Sequence, residues 1–234
     1  MEKLRLPKAV SFDNFGTIID WEGEIAKWFE GFMQRKGYDA YPAKVVQRRW
    51  EEIQFVYIQI EYKPYFTVLQ ETMKLTCNEF GIPYTKQDAE EFAESMGHWQ
   101  PFPDSHDALL ELKKYTKITL ITNTDNDIIK ESVKQIGVEF DDIVTAEMAG
   151  AYKPSYKGFE LSQKRLGLTA HDILHAGFGF KYDIVPGTRL GYQTAWINRQ
   201  GEARPLNVWE TVMTGDLKTF AQVIKLLAIE EGKA

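Results

Sequence analysis

Six residues spread along this 234-residue chain are of types that do chemistry: Asp13, Thr17, Thr122, Asn123, Lys153 and Asp183. Each is expected at the tip of a strand. Two carboxylates, a lysine, two hydroxyls and an amide suit nucleophilic or acid–base work on a small substrate. Taken singly, an Asp, Thr or Asn at a strand end reads better as the N-cap of the next helix. Taken together, with a lysine among them, they read better as one site.

The elements that would gather them follow from the hydrophobic pattern. Lys8-Ala9-Val10-Ser11-Phe12 is an apolar run that ends on Asp13 and a glycine-containing turn, as expected of a buried strand delivering a carboxylate to its C-terminal tip. From Trp21 to about Met96 the spacing turns helical. Ile25, Trp28, Phe29 and Phe32 form one face, and Trp50, Ile53, Val56, Tyr57 and Ile60 form another. Further helices are expected over Tyr65–Phe80 and Lys86–Glu94, with Pro42, Pro64 and Pro83 as punctuation. Alternation then returns. Strands are expected at Ile118–Ile121, Asp142–Val144, Ile173–Ala176 and Thr194–Ile197, and helices through Leu109–Leu112, Ile128–Ile136, Phe159–Leu166, Ile184–Leu190 and Val223–Ile229. Such alternation predicts an α/β fold, a Rossmann-like parallel sheet with helices on both faces. In that fold ligands bind outside the carboxyl ends of the strands, where the six residues converge.

These residues carry a family resemblance. Phe12-Asp13-Asn14-Phe15-Gly16-Thr17-Ile18-Ile19-Asp20 resembles the first motif of the haloacid dehalogenase superfamily, in the form with an aromatic residue two positions after the nucleophile. Ile121-Thr122-Asn123 is similar to the second motif and Tyr152-Lys153-Pro154 to the third. Gly177 to Asp183, running on to Thr194–Arg199, is similar to the fourth motif and the strand after it. The motifs occur in the right order, and the set is nearest the (S)-2-haloacid dehalogenase (type II) group. The resemblance implies a catalytic core of residues 1–18 and 99–234 and a helical cap domain of residues 19–98. It also implies an Asp13 nucleophile and a covalent ester intermediate. Lys153 would keep Asp13 ionised, Thr17 and Thr122 would orient its oxygens, Asn123 would offer an amide donor to a leaving group, and Asp183 would position or activate the hydrolytic water.

The reaction class turns on two aromatic residues. Phosphatases of the superfamily carry a second Asp two residues after the nucleophile, and a further acid at the start of the fourth motif. Here those positions are Phe15 and Phe178, so no metal site and no cofactor are expected. The expected activity is halide displacement from a short 2-haloacid. Hydrolytic opening of a small strained imino acid and a metal-dependent phosphatase are the alternatives. Asn14, Phe15, Trp21, Phe178 and Phe180 abut the motifs and are expected, at least in part, to line the pocket, where ring edges could cradle a halide. Trp28 and Trp196 read as core. One departure stands out. Where these dehalogenases present an Arg from the cap to grip the substrate carboxylate, this chain has Glu51. Arg48, Arg49, Lys63 or backbone N–H groups are the substitutes considered. Phe159 stands where a Tyr is usual, with Tyr156 a stand-in.

Composition bounds the rest. With 44% hydrophobic and 26% charged residues and a net charge of −6, the chain reads as globular and as no partner for nucleic acid. Cys77 is the single cysteine and reads as a packed thiol, consistent with a reducing compartment. No apolar run approaches the roughly 20 residues of a membrane span, and Met1–Arg5 lacks signal-peptide anatomy, so a cytoplasmic enzyme without membrane association is expected. A small molecule is the expected partner, and a homodimer through the cap the expected assembly. The four histidines form no metal-ligand spacing; His175, within a strand, and Arg199, at a strand end, read as structural.

Overall fold

The computed structural model describes residues 4–205 and 207–233; Met1–Lys3, part of the N-terminal reading, lie outside them. One six-stranded parallel sheet organises the chain, in the order β3-β2-β1-β4-β5-β6. Its strands are β1 (Ala9–Phe12), β2 (Lys117–Thr122), β3 (Asp142–Thr145), β4 (Ile173–Gly177), β5 (Gln193–Ile197) and β6 (Val212–Thr214). All residues of β1, β4 and β5 are buried, which explains why they read as continuous apolar runs rather than alternating ones. Strand order runs outward from β1 in one direction and from β4 in the other. Right-handed crossovers therefore send the connecting helices to opposite faces and leave a crevice at the C-terminal ends of β1 and β4.

Between β1 and β2 the chain makes four helices, α1 (Trp21–Arg35), α2 (Ala43–Tyr57), α3 (Tyr65–Phe80) and α4 (Lys86–Ser95), before α5 (Ser105–Leu112) returns it to the sheet. Asp20 caps α1, accepting from Gly23 N–H at 3.1 Å, and a Thr85–Asp88 capping box opens α4. The four helices share one continuous apolar core with the sheet, joined through Phe15, Trp21 and Trp99. Cys77 is buried in it, against Met73.

The first helical face is found as expected, with Ile25, Phe29 and Phe32 fully buried and Trp28 stacked on Phe32 at 4.9 Å. The face of α2 is not. Val56 and Ile60 are 60% and 74% exposed, and the buried side is Val46, Gln47, Trp50 and Gln54, followed by Ile58. Hydrogen bonds to partners on α3 turn the helix this way: Trp50 Nε1 donates to Thr72 Oγ1 and Gln54 Nε2 to Tyr65 Oη, both at 3.0 Å. The buried Gln54 amide is tolerable because a partner awaits it, whereas Gln47 Nε2, also buried, has none among the described residues.

Downstream come α6 (Asn126–Ile136), α7 (Ala146–Ala149), α8 (Lys157–Leu166), α9 (Val185–Arg189) and α10 (Leu217–Glu230). The last is longer than its apolar pattern suggested, because Asp216 caps it seven residues before Val223, accepting from Thr219 N–H at 2.6 Å. Among the described residues no helix is long and apolar enough to cross a membrane.

Candidate active site

Asp13 follows β1 directly, its N–H tied to Ala176 O of β4 at 2.9 Å. The chain then turns back on itself: Ile18 and Ile19 N–H bond Asn14 O, and Gly16 N–H bonds Ile19 O. Gly16 has φ +96°, and a Cβ there would fall within the Phe178 ring, so only glycine fits. The turn brings Thr17 Oγ1 to 2.8 Å from Asp13 Oδ2, and the same oxygen accepts from Phe178 N–H at 2.9 Å. With that lone pair occupied, the hydroxyl proton points at the carboxylate. Arg199 fixes the turn from behind. It donates to Thr17 O at 2.9 and 3.1 Å, pairs with Asp104 at 3.0 Å and stacks on Phe102.

Lys153 arrives from the loop between α7 and α8. Asn123, just past β2, clamps its backbone, accepting from Lys153 N–H at 2.6 Å and donating to Lys153 O at 3.1 Å. The ammonium then reaches Asp13 Oδ1 at 2.8 Å and Asp183 Oδ1 at 2.7 Å. Asp183 lies in a wide turn, Phe180–Ile184, that folds its carboxylate back under Gly177, where a Cβ would collide with it. Gly179 N–H donates to Asp183 Oδ2 at 3.2 Å, and His175 Nε2 stands 3.1 Å from Oδ1. His175 Nδ1 in turn meets Ser11 Oγ at 2.9 Å. An ionised Asp183 requires the proton on Nε2, so Ser11 donates to Nδ1.

One lysine thus serves two buried carboxylates, and they respond differently. Burial pushes Asp13 up to about 6, with Lys153 opposing and Asp183 reinforcing the rise. Burial also acts against the charge of Asp183, but Lys153 and His175 outweigh it and hold this carboxyl below the usual range. Lys153 is raised by its two carboxylates despite its burial, and burial lowers His175, which stays neutral.

These groups open onto a small cavity of about 40 Å³. Asp13, Phe15, Trp21, Thr122, Asn123, Lys153, Phe178 and Asp183 all line it. Trp21 meets Phe178 edge-on at 6.0 Å, and Phe15 meets Trp99 at 6.1 Å. The Trp21 indole N–H is buried without a partner among the described residues. Thr122 lines the cavity, but its Oγ1 has no hydrogen-bond partner among the described residues, so the carboxylate is oriented by Thr17 and Lys153.

Three expected residues stand elsewhere. Asn14 turns its amide to Ser132 Oγ on α6 at 3.0 Å, fully buried. Phe180 packs on Trp196 at 5.0 Å, because the wide turn after Gly179 breaks the alternation that would have aimed it at the cavity. Glu51 is not among the lining residues. Burial and the nearby Glu22 push its carboxyl up to about 8, against Arg48, so it is a neutral acid at pH 7. The substitute cations are no nearer: Arg49 pairs with Glu79 and Glu52 at the surface, Lys63 pairs with Glu71, and Arg48 is exposed. Tyr156 is 38% exposed at the start of α8, and Phe159 packs on His175 in the core.

Four lining residues were not anticipated: Gln54, Tyr65, Met96 and Tyr182. Gln54 carried a signal, since an amide one turn from Trp50 on an apolar seam is a buried polar group in need of a reason. The carboxylates lining the cavity, Asp13 and Asp183, are both engaged by Lys153, and Phe15 and Phe178 supply no ligand atom. The set does not fit a hard divalent cation, which takes several oxygen ligands.

A family model, haloacid dehalogenase-like hydrolase, matches residues 7–191. Among named proteins, the (S)-2-haloacid dehalogenase of Pseudomonas sp. (strain YL) is 24% identical, over 97% of each chain. Haloacetate dehalogenase H-2 of Moraxella sp. (strain B) is 25% identical, over 84% of this chain and 88% of its own. The solved structure of the L-2-haloacid dehalogenase RSc1362 superposes with a TM-score of 0.84 at 21% identity, covering 96% of this chain and all of the other.

Proposed function

The chain belongs to the haloacid dehalogenase-like hydrolases, and from that premise we propose that it displaces halide from short 2-haloacids through an ester on Asp13. The observation that carries this reading is an Asp13 carboxylate oriented at both oxygens, by Thr17 and Lys153, inside a cavity whose two potential acid positions are Phe15 and Phe178. A positioned, desolvated carboxylate gains nucleophilicity without a metal or an adjacent base.

In the first step an Asp13 oxygen bonds to C2 of the substrate, and the carbon–halogen bond breaks with its electron pair leaving on the halide. The positive edges of Phe15, Trp21 and Phe178 suit the departing anion. Esterification removes the Asp13 charge and leaves Lys153 paired with Asp183 alone. In the second step water attacks the ester carbonyl, gives up its proton with Asp183 as the acceptor in reach, and releases the 2-hydroxyacid with Asp13 restored. Among the described residues Asp183 Oδ2 accepts only Gly179 N–H, and it keeps a lone pair for that water.

A halide-release screen over haloacetates and 2-halopropionates, run beside a phosphate-release screen over small phosphate esters, tests the reading. Halide and no phosphate is the expected outcome. Phosphate as the better product overturns it.

A further inference from the structure

The cavity holds no cation to spare for a substrate. Among the described residues Lys153 is the single lysine or arginine lining it, and its ammonium is already shared by Asp13 and Asp183. With both carboxylates ionised the three groups sum to −1, and a substrate carboxylate would bring a second uncompensated charge into a buried space. The helical block offers something else. Gln54 and Tyr65, 3% and 2% exposed, line the cavity and are joined by the bond from Gln54 Nε2 to Tyr65 Oη. Because Tyr65 accepts there, its own proton is available to a ligand. Gln54 keeps a second N–H and a carbonyl oxygen. Trp21, 9% exposed, lines the same cavity, and its indole N–H is buried with no partner among the described residues. Three uncharged donors and one amide acceptor complement a neutral carboxamide more fully than a carboxylate, which has no use for the acceptor and needs more compensation than neutral donors give.

We propose that Gln54, Tyr65 and Trp21 hold the carbonyl end of the substrate, and that the enzyme removes halide from uncharged 2-halocarboxamides at least as efficiently as from the matching 2-haloacids. The proposal rests on the dehalogenase reading above. The chemistry is unchanged: Asp13 displaces halide at C2, water cleaves the ester, and the products are a 2-hydroxyamide, halide and a proton. The carboxamide's N–H₂ would meet Gln54 Oε1, and its C=O would accept from Tyr65 and Trp21.

The test compares kcat/KM for halide release from 2-chloropropionamide and 2-chloropropionate by the unmodified enzyme. A ratio of one or more in favour of the amide is expected, and a preference for the acid above tenfold overturns the proposal. Tyr65→Phe and Gln54→Met should each raise KM for the amide about tenfold or more with a smaller change in kcat. An unchanged KM in both rules these residues out as the anchor. Calorimetric binding of the same two compounds to Asp13→Asn separates this proposal from the dehalogenase reading, because it needs no turnover. Amide binding at least as tight as acid binding supports the anchor even if no halide is released by the native enzyme, a result that would count against dehalogenation alone. Tighter binding of the acid refutes the anchor.

Discussion

Lys153 Nζ stands 2.8 Å from Asp13 Oδ1 and yet leaves Asp13 the harder of its two carboxylates to ionise, because Asp183 holds the same nitrogen at 2.7 Å with help from His175. The nucleophile is therefore the group that titrates. Its carboxyl sits at about 6 and must lose its proton to attack. kcat/KM should fall as pH drops through about 6, close to tenfold per unit below it, and level off above. A pH–rate profile of the free enzyme reads this directly. An acid limb near the ordinary carboxylate value of about 4 would mean that Lys153 favours Asp13 over Asp183.

The same shift makes a claim about stability. The folded pKa of Asp13 lies above its unfolded value of about 3.9, so the fold favours the protonated form. That contribution is present at low pH and is lost as pH rises through about 6. Asp13→Asn, permanently neutral, keeps it. The variant should match the native protein at pH 4 and exceed it at pH 8 by about 1–3 kcal/mol. Denaturant unfolding at the two pH values measures the difference; a variant less stable at pH 8 would contradict it.

Much of this site was legible in the sequence, for a physical reason. Buried parallel strands read as apolar runs, and the polar residues that end them, Asp13, Thr122 and Asn123, converge because the strands do. What sequence reasoning missed lies where side-chain direction depends on a partner. The face of α2 is set by bonds to Thr72 and Tyr65, so Gln54 reaches the cavity where apolar spacing had placed Val56 and Ile60 inside. Phe180 was misdirected by a turn that no residue pattern announces. The short edge strand β6 carries too few residues to show a period. His175 was read as structural. It is fully buried and is not among the residues lining the active-site cavity, but its Nε2 proton helps Asp183 keep its charge.

Metal dependence follows from Phe15 and Phe178. Exhaustive chelation should leave halide release within about twofold of its starting value, and added Mg²⁺ should not raise it. Loss of activity on chelation, restored by Mg²⁺, would require ligands that this cavity does not offer.

Glu51 adds a limb at the other end of the pH scale. Its carboxyl stays protonated up to about 8 through burial and Glu22, with Glu202 adding to the effect and Arg48 and Gln47 opposing it. The charge it acquires above that value is felt at Tyr65 and Tyr182, both of which line the cavity. For a 2-haloacid, kcat/KM should decline above pH 8, and Glu51→Gln should flatten the decline. An identical alkaline limb in the variant would assign it to another group.

The central claim is that Asp13 becomes an ester, and one turnover in heavy-oxygen water with enzyme in excess over a 2-haloacid tests it most directly. Water that cleaves the ester at its carbonyl leaves its oxygen on Asp13, while the product oxygen comes from the original carboxylate. Mass spectrometry of the peptide bearing Asp13 should find the label there and the first-turnover 2-hydroxyacid unlabelled. Label in that product, with an unlabelled Asp13 peptide, would mean that water attacks the substrate directly and that Asp13 is not the nucleophile.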